Sequence, residues 1–354
     1  MPMIHVRLPR EDDRTLVFYL AMEEYLAANL PSITGGEDAF FLWRVPPTVI
    51  FGRNQVMEAE VNIPYCRENG VRLFRRKSGG GCVYSDWGNV MVSYVSHSAL
   101  EDVATTFSRY ISRMTATLRD MGLDASESGR NDILVGGRKV SGNAFFKTPE
   151  ASIVHGTMLF DSDFAQMQKT ITPSEGKILS KGVESVRQRV TNVSEELRLV
   201  GNPMDIEAFM AKIYASFCEG EITLTPSQVL GIEEIEKTYL DPAFLEGRHH
   251  GFTLLRSGRV EGAGDITVEL TMERDRIASC TLKGDFMPLE DGLDELLGKA
   301  LKGCPDDREA VAAALKEIDL RKYVLNLGTE DFLDLAFTNK TASEQYGRKN
   351  HLPV

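Results

Sequence analysis

The sequence predicts an α+β protein that consists of one large domain and one smaller domain. Its 354 residues exceed the length of an ordinary single domain. Strand-like and helix-like segments alternate along the first two thirds of the chain. From about residue 245, strand-like runs with glycine turns are followed by two helical stretches, which is typical of a small α+β domain. The expected domains therefore cover residues 1–244 and 245–354.

Three segments of the large domain have the spacing of helices. Residues 14–30 combine helical periodicity with good helix formers. Residues 101–121 form the clearest long amphipathic pattern, and Gly122 closes it. Residues 205–219 are also helical in pattern, and residues 161–200 are more polar and predict short helices with loops.

The predicted strands surround two glycine-rich turns. "AFFLWRVPPTVIFGRNQ" reads as two strands around Pro46 and Pro47, and "VRLFRR" as the next strand. "CVYSDWGNVMVSYV" predicts a hairpin that turns near Asp86. "DILVGGRKVSGNAFF" predicts a second hairpin that reverses at Gly136 and Gly137, and "ASIVHGTMLFD" a further strand.

Composition and charge exclude several classes of function. The formal net charge is -12, which argues against nonspecific binding to nucleic acid. The five cysteines have no close metal-site spacing, and their odd number does not suggest a disulfide framework. The N-terminal segment lacks the apolar core of a signal peptide, and no apolar run is long enough to span a membrane. We expect a cytoplasmic protein that binds neither nucleic acid nor membrane.

The stretch "RRKSGGGCVYSDWGN" places three consecutive glycines beside three cations. It lacks the patterns of a Walker loop and of a dinucleotide-binding fold. Consecutive backbone N–H groups in such a bend can bind phosphate oxygens, and Arg76 could add a charge-assisted contact. A tight bend that merely needs positive φ is the alternative, and the three glycines alone do not decide between the two.

Two further stretches carry polar residues within apolar strands. In "SGRNDILVGGRKVSGNAFF", Asp132 could hold Mg²⁺ or simply begin a turn, and Lys139 could enter a pocket or face solvent. In "VHGTMLFD", His155 precedes a glycine and a threonine. Such a lone histidine is more often structural than catalytic.

The segment "KILSKGVESVRQRVTN" is basic within an acidic protein. Lys177, Lys181, Arg187 and Arg189 give it a positive charge. It could be a solvated face, or a mobile loop that closes over an anionic intermediate.

These stretches, in this order and at these separations, resemble the lipoate–protein ligases. The resemblance is close over about residues 15–200, and the remainder resembles the accessory domain of the longer members. It implies a biotin/lipoate ligase-like fold, in which a mixed sheet is flanked by helices, with a small α+β C-terminal domain. It also implies an enzyme that uses ATP and Mg²⁺ to convert free lipoate to lipoyl-AMP and then acylates a specific lysine of an acceptor protein.

The resemblance assigns roles to individual residues. Lys139 matches the lysine that contacts the acyl carboxyl and the phosphate, so it receives the main catalytic role. Asp132 is the candidate ligand for Mg²⁺. The predicted binding site for ATP and lipoyl-AMP comprises Arg76, Ser78, Gly79, Gly80, Gly81, Cys82, Val83, Tyr84, Asn131, Asp132, Lys139 and His155. The expected acceptors are lipoyl domains of 2-oxoacid dehydrogenase complexes or the H protein of glycine cleavage, and we expect a monomer.

The sequence departs from the family pattern at three positions. Cys82 stands where the family usually has alanine, Ser85 where many members have histidine, and Asn143 changes "SGSA" to "SGNA". These changes bear on rate and acyl preference more than on the class of reaction.

Three other classes remain as alternatives. An octanoyltransferase would take the acyl group from a carrier protein through a cysteine thioester, but "DASESGRND" ahead of the Lys139 hairpin has no cysteine. A biotin ligase would show a different glycine-rich motif, of the GRGRxGR type. A noncatalytic binding protein would keep the pocket without turnover, and the presence of Arg76, Asp132 and Lys139 argues against it.

Overall fold

A mixed eight-stranded sheet forms the centre of the protein. The computed structural model describes residues 3–10, 13–55, 57–97, 103–128, 131–171, 189–246, 254–273 and 276–337. The strand order is β11-β1-β2-β6-β10-β9-β8-β7. These strands are β1 (Met3–Arg7), β2 (Asp38–Trp43), β6 (Asn89–Ser96), β7 (Ala125–Ser128), β8 (Asp132–Val135), β9 (Arg138–Lys147), β10 (Ser152–Leu159) and β11 (Cys218–Thr223). Most of the basic segment, residues 172–188, lies outside the described residues.

The pairing in this sheet confirms the mixed topology that the resemblance implied. β1 runs parallel to both β2 and β11. β2, β6, β10, β9, β8 and β7 are joined by antiparallel ladders. The predicted hairpin around Gly136 and Gly137 is confirmed, and φ is positive at both glycines, 55° and 77°.

Helix α1 (Leu16–Thr34) covers one face of the sheet. The Thr15 side chain caps its N-terminus by accepting a hydrogen bond from the Phe18 N–H, and Gly35 ends it in the left-handed conformation at φ 70°. The helix packs on the alternate residues of the sheet that face it, such as Phe41, Trp43 and Met91. Helix α8 (Pro226–Leu240), which the sequence pattern did not reveal, packs against α1.

The opposite face of the sheet is covered by α4 (Val103–Asp120) and α7 (Ile206–Phe217), two helices that the sequence predicts. Their apolar stripes bury Met114 and Ile213 against sheet residues such as Tyr94. Gly122 follows α4 at φ 88°, in agreement with its predicted role as the stop signal. The central sheet is therefore buried on both faces.

A smaller three-stranded sheet carries the chain into the glycine run. Its strands are β3 (Thr48–Phe51), β4 (Arg72–Arg75) and β5 (Val83–Ser85), in the order β4-β3-β5. Short helices lie nearby: α2 (Met57–Glu60), α3 (Ile63–Glu68), α5 (Phe164–Thr170), α6 (Val193–Leu199) and α9 (Pro242–Glu246). The predicted hairpin between β5 and β6 is wrong. β5 pairs with β3, whereas β6 pairs with β2 and β10.

The C-terminal part has a sheet and a hydrophobic core of its own. β12 (Leu254–Val260), β13 (Gly264–Glu273) and β14 (Arg276–Phe286) form an antiparallel meander. The helices are α10 (Leu293–Leu301), α11 (Arg308–Leu315) and α12 (Thr329–Phe337), with a 3₁₀ turn at Leu320–Lys322. The sequence predicts α10 and α11 but not α12. Within the described ranges, no helix is both long and apolar enough to cross a lipid bilayer.

Candidate active site

The glycine run and Lys139 lie over the same strand of the central sheet. Gly142 and Ala144 are alternate residues of β9, so they face the same side. The Lys139 Nζ lies 2.8 Å from where a Cβ atom would stand at Gly142. The Ala144 Cβ is 3.9 Å from the corresponding position at Gly80. The structure thus brings together two sequence-predicted elements that are about sixty residues apart in the chain.

Lys139 forms a close ion pair beside this strand. Its Nζ lies 2.7 Å from the Asp132 Oδ1, with the two side chains 37% and 28% exposed. The Lys139 carbonyl accepts a hydrogen bond of 3.1 Å from the Thr191 N–H. A register shift in the β8–β9 ladder at Ile133 and Leu134 accompanies this irregular strand start. The ammonium is therefore held at a fixed place and remains accessible.

Arg76 supports the glycine run from below rather than reaching outward. Its Nη2 donates to the carbonyl oxygens of Gly79 and Gly81, at 2.8 Å each, and its Nε donates to Gly79 at 3.2 Å. The side chain is buried, and burial lowers its pKa to about 10. It therefore stays protonated at neutral pH, and its charge lies directly beneath the bend.

This buried cation also decides which way the peptide amides point. In a trans peptide the N–H points away from the preceding carbonyl. Because the Gly79 and Gly81 carbonyls turn toward Arg76, the N–H groups of Gly80 and Cys82 turn away from it. Gly80 adopts φ 91°, a conformation that disfavours residues with a Cβ atom. The carbonyls of the bend are thus oriented as in an anion-binding loop, but the Gly80 N–H donates to the Phe286 carbonyl.

The C-terminal part of the chain rests on this loop. The Gly80 N–H donates to the Phe286 carbonyl at 2.9 Å, and the Gly284 N–H donates to the Asn54 carbonyl at 2.8 Å. A Cβ atom at Gly79 would stand 2.3 Å from the Phe286 carbonyl oxygen. A Cβ atom at Gly81 would stand 2.7 Å from a carboxylate oxygen of Asp285. Close approach of backbone thus requires glycine at position 79, whereas the positive φ favours it at position 80.

Arg75 and Lys77, the other two cations beside the glycine run, are paired with groups of the protein itself. The Arg75 Nη1 donates to the carbonyls of Arg53 at 3.0 Å and Gln55 at 2.8 Å. The Lys77 Nζ lies 2.8 Å from Glu24. The cationic cluster that the sequence shows therefore does not form one open positive surface.

Ser78 and His155, both predicted site residues, contact each other. The Ser78 Oγ lies 2.6 Å from the His155 Nε2. The His155 Nδ1 lies 2.8 Å from the Glu23 Oε2. All three side chains are buried on the face of the sheet that α1 covers. The histidine therefore joins the start of the glycine run to α1.

The remaining predicted residues lie around the bend in different surroundings. Val83 and Tyr84 belong to β5, and the buried Tyr84 hydroxyl donates to Gln166 at 2.5 Å. Burial raises the pKa of Tyr84 well above its ordinary value. Cys82 is half-buried and packs with an apolar cluster around β3. Ser85 is fully buried, and its hydroxyl has no partner among the described residues.

Asn131 is used to fix the strand next to it. Its side-chain Nδ2 donates to the Asn143 carbonyl at 2.8 Å, and its own carbonyl accepts from the Asn143 N–H at 3.0 Å. The Asn143 Nδ2 adds a further contact to the Asn131 carbonyl at 3.1 Å. These three hydrogen bonds set the position of Asp132 relative to β9.

A cavity of about 310 Å³ opens beside the start of β9. Val190, which forms a bridge with Lys139, lines it. Ser162 is 5% exposed, and its hydroxyl has no hydrogen-bond partner among the described residues. The described residues around the cavity are Arg138, Ser162, Asp163, Phe164, Ala165, Val190, Asn192 and Glu195. No group of three or more metal-binding side chains occurs within the described residues.

The sequence analysis did not single out Glu23, which contacts the predicted site residue His155. The apolar stripe of α1 runs through Leu16, Leu20, Ala27 and Leu30 at helical spacing, and Glu23 occupies the position in the middle of that stripe. A carboxylate on a buried stripe must have polar partners, because an unpaired buried charge is costly. A glutamate within an apolar helical stripe was therefore the sequence feature that could have drawn attention to Glu23.

Both parts of the chain match known families. Residues 16–218 match the family described as lipoyl protein ligase A/B catalytic domain. Residues 249–335 match the family described as bacterial lipoate protein ligase C-terminus. The fold and these regions define a catalytic domain of the ligase type followed by its C-terminal domain.

Individual relatives agree with this assignment. The lipoate-protein ligase LplJ of Bacillus subtilis is 34% identical over 327 residues, covering 90% of this chain and 96% of its own. The fold resembles P. falciparum LipL1, solved in complex with lipoate, at a TM-score of 0.67 and 20% identity, covering 94% of this chain and 97% of that one. It also resembles lipoate-protein ligase A bound with ATP, at a TM-score of 0.55 and 25% identity, covering 69% of this chain and 99% of that one. The chain belongs to the lipoate–protein ligase family.

Proposed function

We propose that the protein is an ATP-dependent lipoate–protein ligase. It activates lipoate to lipoyl-AMP with release of pyrophosphate, and it then transfers the lipoyl group to a lysine of an acceptor protein. The observation that carries this proposal is the placement of Lys139 and the triglycine bend over Gly142 and Ala144 on one face of β9. A mixed anhydride of a carboxylate and AMP needs fixed positive charge and amide donors at one place.

Lys139 would neutralise the charge that develops in both half-reactions. In the first, a carboxylate attacks the α-phosphorus, and in the second, AMP leaves as the acceptor amine attacks the acyl carbon. Neither step requires a protein nucleophile, so positioning and electrostatics account for the catalysis. The ion pair with Asp132 at 2.7 Å keeps the ammonium oriented before substrate arrives.

The cavity beside β9 is suited to the nucleoside part of the adenylate. Its volume of about 310 Å³ is at the lower end for small-molecule sites, which fits a nucleoside better than a whole nucleotide triphosphate. Arg138, Asp163 and Glu195 offer charged groups to polar edges and hydroxyls, and the unpartnered Ser162 hydroxyl offers another. The bridge between Val190 and Lys139 connects this cavity to the proposed reaction centre.

The residues present are compatible with Mg²⁺. Magnesium in nucleotide enzymes is usually held by one or two carboxylates together with substrate phosphates and water. Asp132 supplies one half-buried carboxylate beside Lys139. The ion would supply charge neutralisation at the phosphates when bound.

The acyl chain would lie on the face of the sheet that α1 covers. Trp43, Met91 and Ile153 are buried there, and Val83 and Phe146 are partly buried against the same cluster. An apolar wall of this kind suits the hydrocarbon chain and dithiolane ring of lipoate.

The proposed acceptors are lipoyl domains of 2-oxoacid dehydrogenase complexes or the H protein of glycine cleavage. The net charge of -12 gives no long-range attraction toward an acidic acceptor, so local basic groups must steer docking. We further propose that residues 1–244 carry both half-reactions, that residues 245–354 act as an accessory domain, and that the protein is a monomer.

Pyrophosphate release tests the first half-reaction. The protein is incubated with ATP, Mg²⁺ and lipoate, octanoate or biotin, without acceptor. We expect release with lipoate, a loss of about 1,000-fold in Lys139→Ala, and little change in Lys147→Ala, an exposed lysine at the far end of the same strand. Normal turnover in Lys139→Ala would refute the assigned role. Acyl transfer from an acyl carrier protein without ATP would support the octanoyltransferase instead.

A further inference from the structure

Two polar side chains that line the cavity beside β9 lack partners among the described residues. Ser162 is buried, and no described group forms a hydrogen bond with its hydroxyl. Glu195 is exposed, and within the described ranges its carboxylate forms neither a hydrogen bond nor an ion pair. Because buried polar groups are nearly always paired, the Ser162 hydroxyl in particular requires an explanation.

One asparagine fixes the backbone of Ser162 on both sides. The Ser162 N–H donates to the Asn192 Oδ1 at 3.0 Å, and the Asn192 Nδ2 donates to the Ser162 carbonyl at 3.1 Å. Asn192 is the N-cap residue of α6, but its side chain caps no N–H group of that helix. Ser162 is therefore held at a defined place in the cavity wall although its own hydroxyl is unpaired.

Glu195 is the third residue of α6, a position from which a glutamate often reaches back to cap the helix. Its N–H donates to the Asn192 carbonyl at 3.1 Å, but its carboxylate makes no such capping contact with the described residues. The neighbouring Glu196 is engaged instead, since it accepts from the Arg138 Nη2 at 2.5 Å and from the Thr191 Oγ1 at 2.7 Å. The Glu195 carboxylate thus remains available to a ligand in the cavity.

A hydroxyl and a carboxylate on the wall of one cavity match the hydrogen-bonding groups of a ribose. A carboxylate only accepts hydrogen bonds, whereas a serine hydroxyl both donates and accepts. A ribose 2′-hydroxyl that donates to the carboxylate can also accept from the serine, so all three groups would be satisfied. In dinucleotide-binding folds, an acidic side chain holds the ribose 2′-hydroxyl by the same kind of contact.

The rest of the cavity suits the base of the same nucleoside. Phe164 and Val190 are half-buried and give the cavity an aromatic and an aliphatic surface. Such surfaces pack against a base without reading its hydrogen-bonding edge. The ribose is therefore the part of the nucleoside that the two unpaired groups would select.

We propose that Ser162 and Glu195 are specificity-determining residues that bind the ribose 2′-hydroxyl, so that the protein uses ribonucleotides and rejects 2′-deoxyribonucleotides. The inference deepens the proposed function and rests on it for the identity of the nucleotide, ATP. Both side chains would contact the nucleotide at its sugar, away from the bonds that form and break. Their removal should therefore change the choice of nucleotide without changing the reaction.

The test compares ATP with 2′-deoxy-ATP in lipoate-dependent pyrophosphate release, and the measured quantity is kcat/KM for each nucleotide. We expect the wild-type protein to prefer ATP by about 30-fold, because 2′-deoxy-ATP leaves a carboxylate and a hydroxyl of the site without partners. The preference should fall to about 10-fold in Ser162→Ala and to about 5-fold in Glu195→Ala, and it should nearly vanish in the double variant. In each variant the loss should fall on ATP, whereas the use of 2′-deoxy-ATP should hardly change.

Two controls accompany these variants. Glu150→Ala removes an exposed carboxylate from the turn at the opposite end of β9 from Arg138, so it should keep the full preference for ATP. Ser162→Ala should unfold at or above the temperature of the wild-type protein, because it removes a buried hydroxyl that has no partner among the described residues. A clearly lower unfolding temperature would mean that the protein itself uses this hydroxyl, and it would count against the proposal.

Two results would overturn the proposal outright. One is equal use of ATP and 2′-deoxy-ATP by the wild-type protein. The other is a preference for ATP that persists unchanged in both Ser162→Ala and Glu195→Ala. The second result is expected if Glu195 serves only as an acidic residue in the first turn of a helix, where a negative charge suits the helix dipole.

Equilibrium binding separates failure of this inference from failure of the ligase function. The affinities for AMP and 2′-deoxy-AMP are measured by calorimetry, which needs no turnover. A preference for AMP that is lost in the double variant, without lipoate-dependent pyrophosphate release from any nucleotide, would retain the ribose site and refute the ligase. Pyrophosphate release together with equal affinities for the two nucleotides would retain the ligase and refute the ribose site.

Discussion

The backbone N–H of Gly80 donates a hydrogen bond of 2.9 Å to the carbonyl oxygen of Phe286. One amide of the triglycine bend is thus satisfied by the C-terminal domain, and the neighbouring Asp285 carboxylate lies against Gly81. The stability of this contact and the geometry of the bend therefore depend on the same few atoms. Substitutions at the contact test both.

Gly79→Ala should weaken the contact between the bend and the C-terminal domain. The new Cβ would stand 2.3 Å from the Phe286 carbonyl oxygen and from the Pro288 Cδ, so backbone must move. We expect a loss of about 1–3 kcal/mol in the free energy of unfolding, measured by urea titration. Gly298→Ala is the matched control, because nothing lies within 4 Å of its new Cβ and the residue is within α10. A Gly79→Ala protein as stable as this control would show that the contact is loose.

Arg76→Lys should disturb the bend although it keeps the charge. A lysine ammonium cannot replace the fork by which Arg76 contacts the carbonyls of Gly79 and Gly81. We expect a loss of about 2–3 kcal/mol in unfolding free energy, together with slower adenylate formation. Arg72→Lys, on the exposed side of β4, should change neither measurement. Unchanged stability in Arg76→Lys would argue against the buttressing role.

Asn143→Ser restores the residue that the family pattern has at this position. It removes the Asn143 Nδ2 contacts to the Asn131 carbonyl at 3.1 Å and to the Ser141 Oγ at 3.0 Å. We expect about 1 kcal/mol lower stability, because one net side-chain hydrogen bond is lost. The two hydrogen bonds between Asn131 and the Asn143 backbone remain. Thermal unfolding measures the change. An increase in stability would mean that the buried Asn143 Oδ1, which has no partner among the described residues, costs more than the amide contributes.

Glu269 should make the stability of the C-terminal domain depend on pH. Burial raises its pKa to about 7, with Asp294 raising it further and Lys283 opposing. Between the ordinary carboxyl pKa and 7, the folded state retains a proton that the unfolded chain releases. Stability should therefore fall as the pH rises through that window, by on the order of 3 kcal/mol in total, and then level off.

The comparison of Glu269→Gln with the wild-type protein isolates this effect. From pH 5 to pH 8, the unfolding temperature of Glu269→Gln should rise relative to that of the wild-type protein. Glu261→Gln, an exposed carboxyl in a turn of the same domain, should show no such trend. Parallel curves for Glu269→Gln and the wild type would contradict the raised pKa.

The incorrect hairpin between β5 and β6 shows what local pattern cannot supply. Asp86 does form a turn, since its Oδ1 accepts from the Gly88 N–H at 2.9 Å. All eight residues of β6 are buried, so the strand takes a central place between β2 and β10. β5 is short and joins the smaller sheet. The turn was predictable from "SDWGN", but the partners of each strand depend on distant segments.

The Gly136 hairpin was predictable because its strands are adjacent in the chain. Two consecutive glycines with positive φ at the reversal join β8 directly to β9. No distant segment is needed to choose the partner. The same holds for α4, where an amphipathic run and a terminal glycine specify the helix and its buried side.

The roles of Arg75 and Arg76 could not be read from the sequence for a related reason. Their cationic character favours an anion as partner, yet both guanidinium groups bind backbone carbonyls. Which carbonyls are left unpaired is known only once β3, β4 and the bend are assembled. By contrast, Lys139 and the glycine run both lie over β9, and that they serve one site stays a prediction.

Arg76 has a consequence for the affinity of any anion that settles on the bend. A loop that is disordered before binding must lose conformational entropy when its ligand arrives, and that loss subtracts from affinity. Here a buried guanidinium has already fixed the carbonyls of Gly79 and Gly81. The glycines of the bend are thus ordered before the ligand binds, so ordering them subtracts little from the free energy of binding.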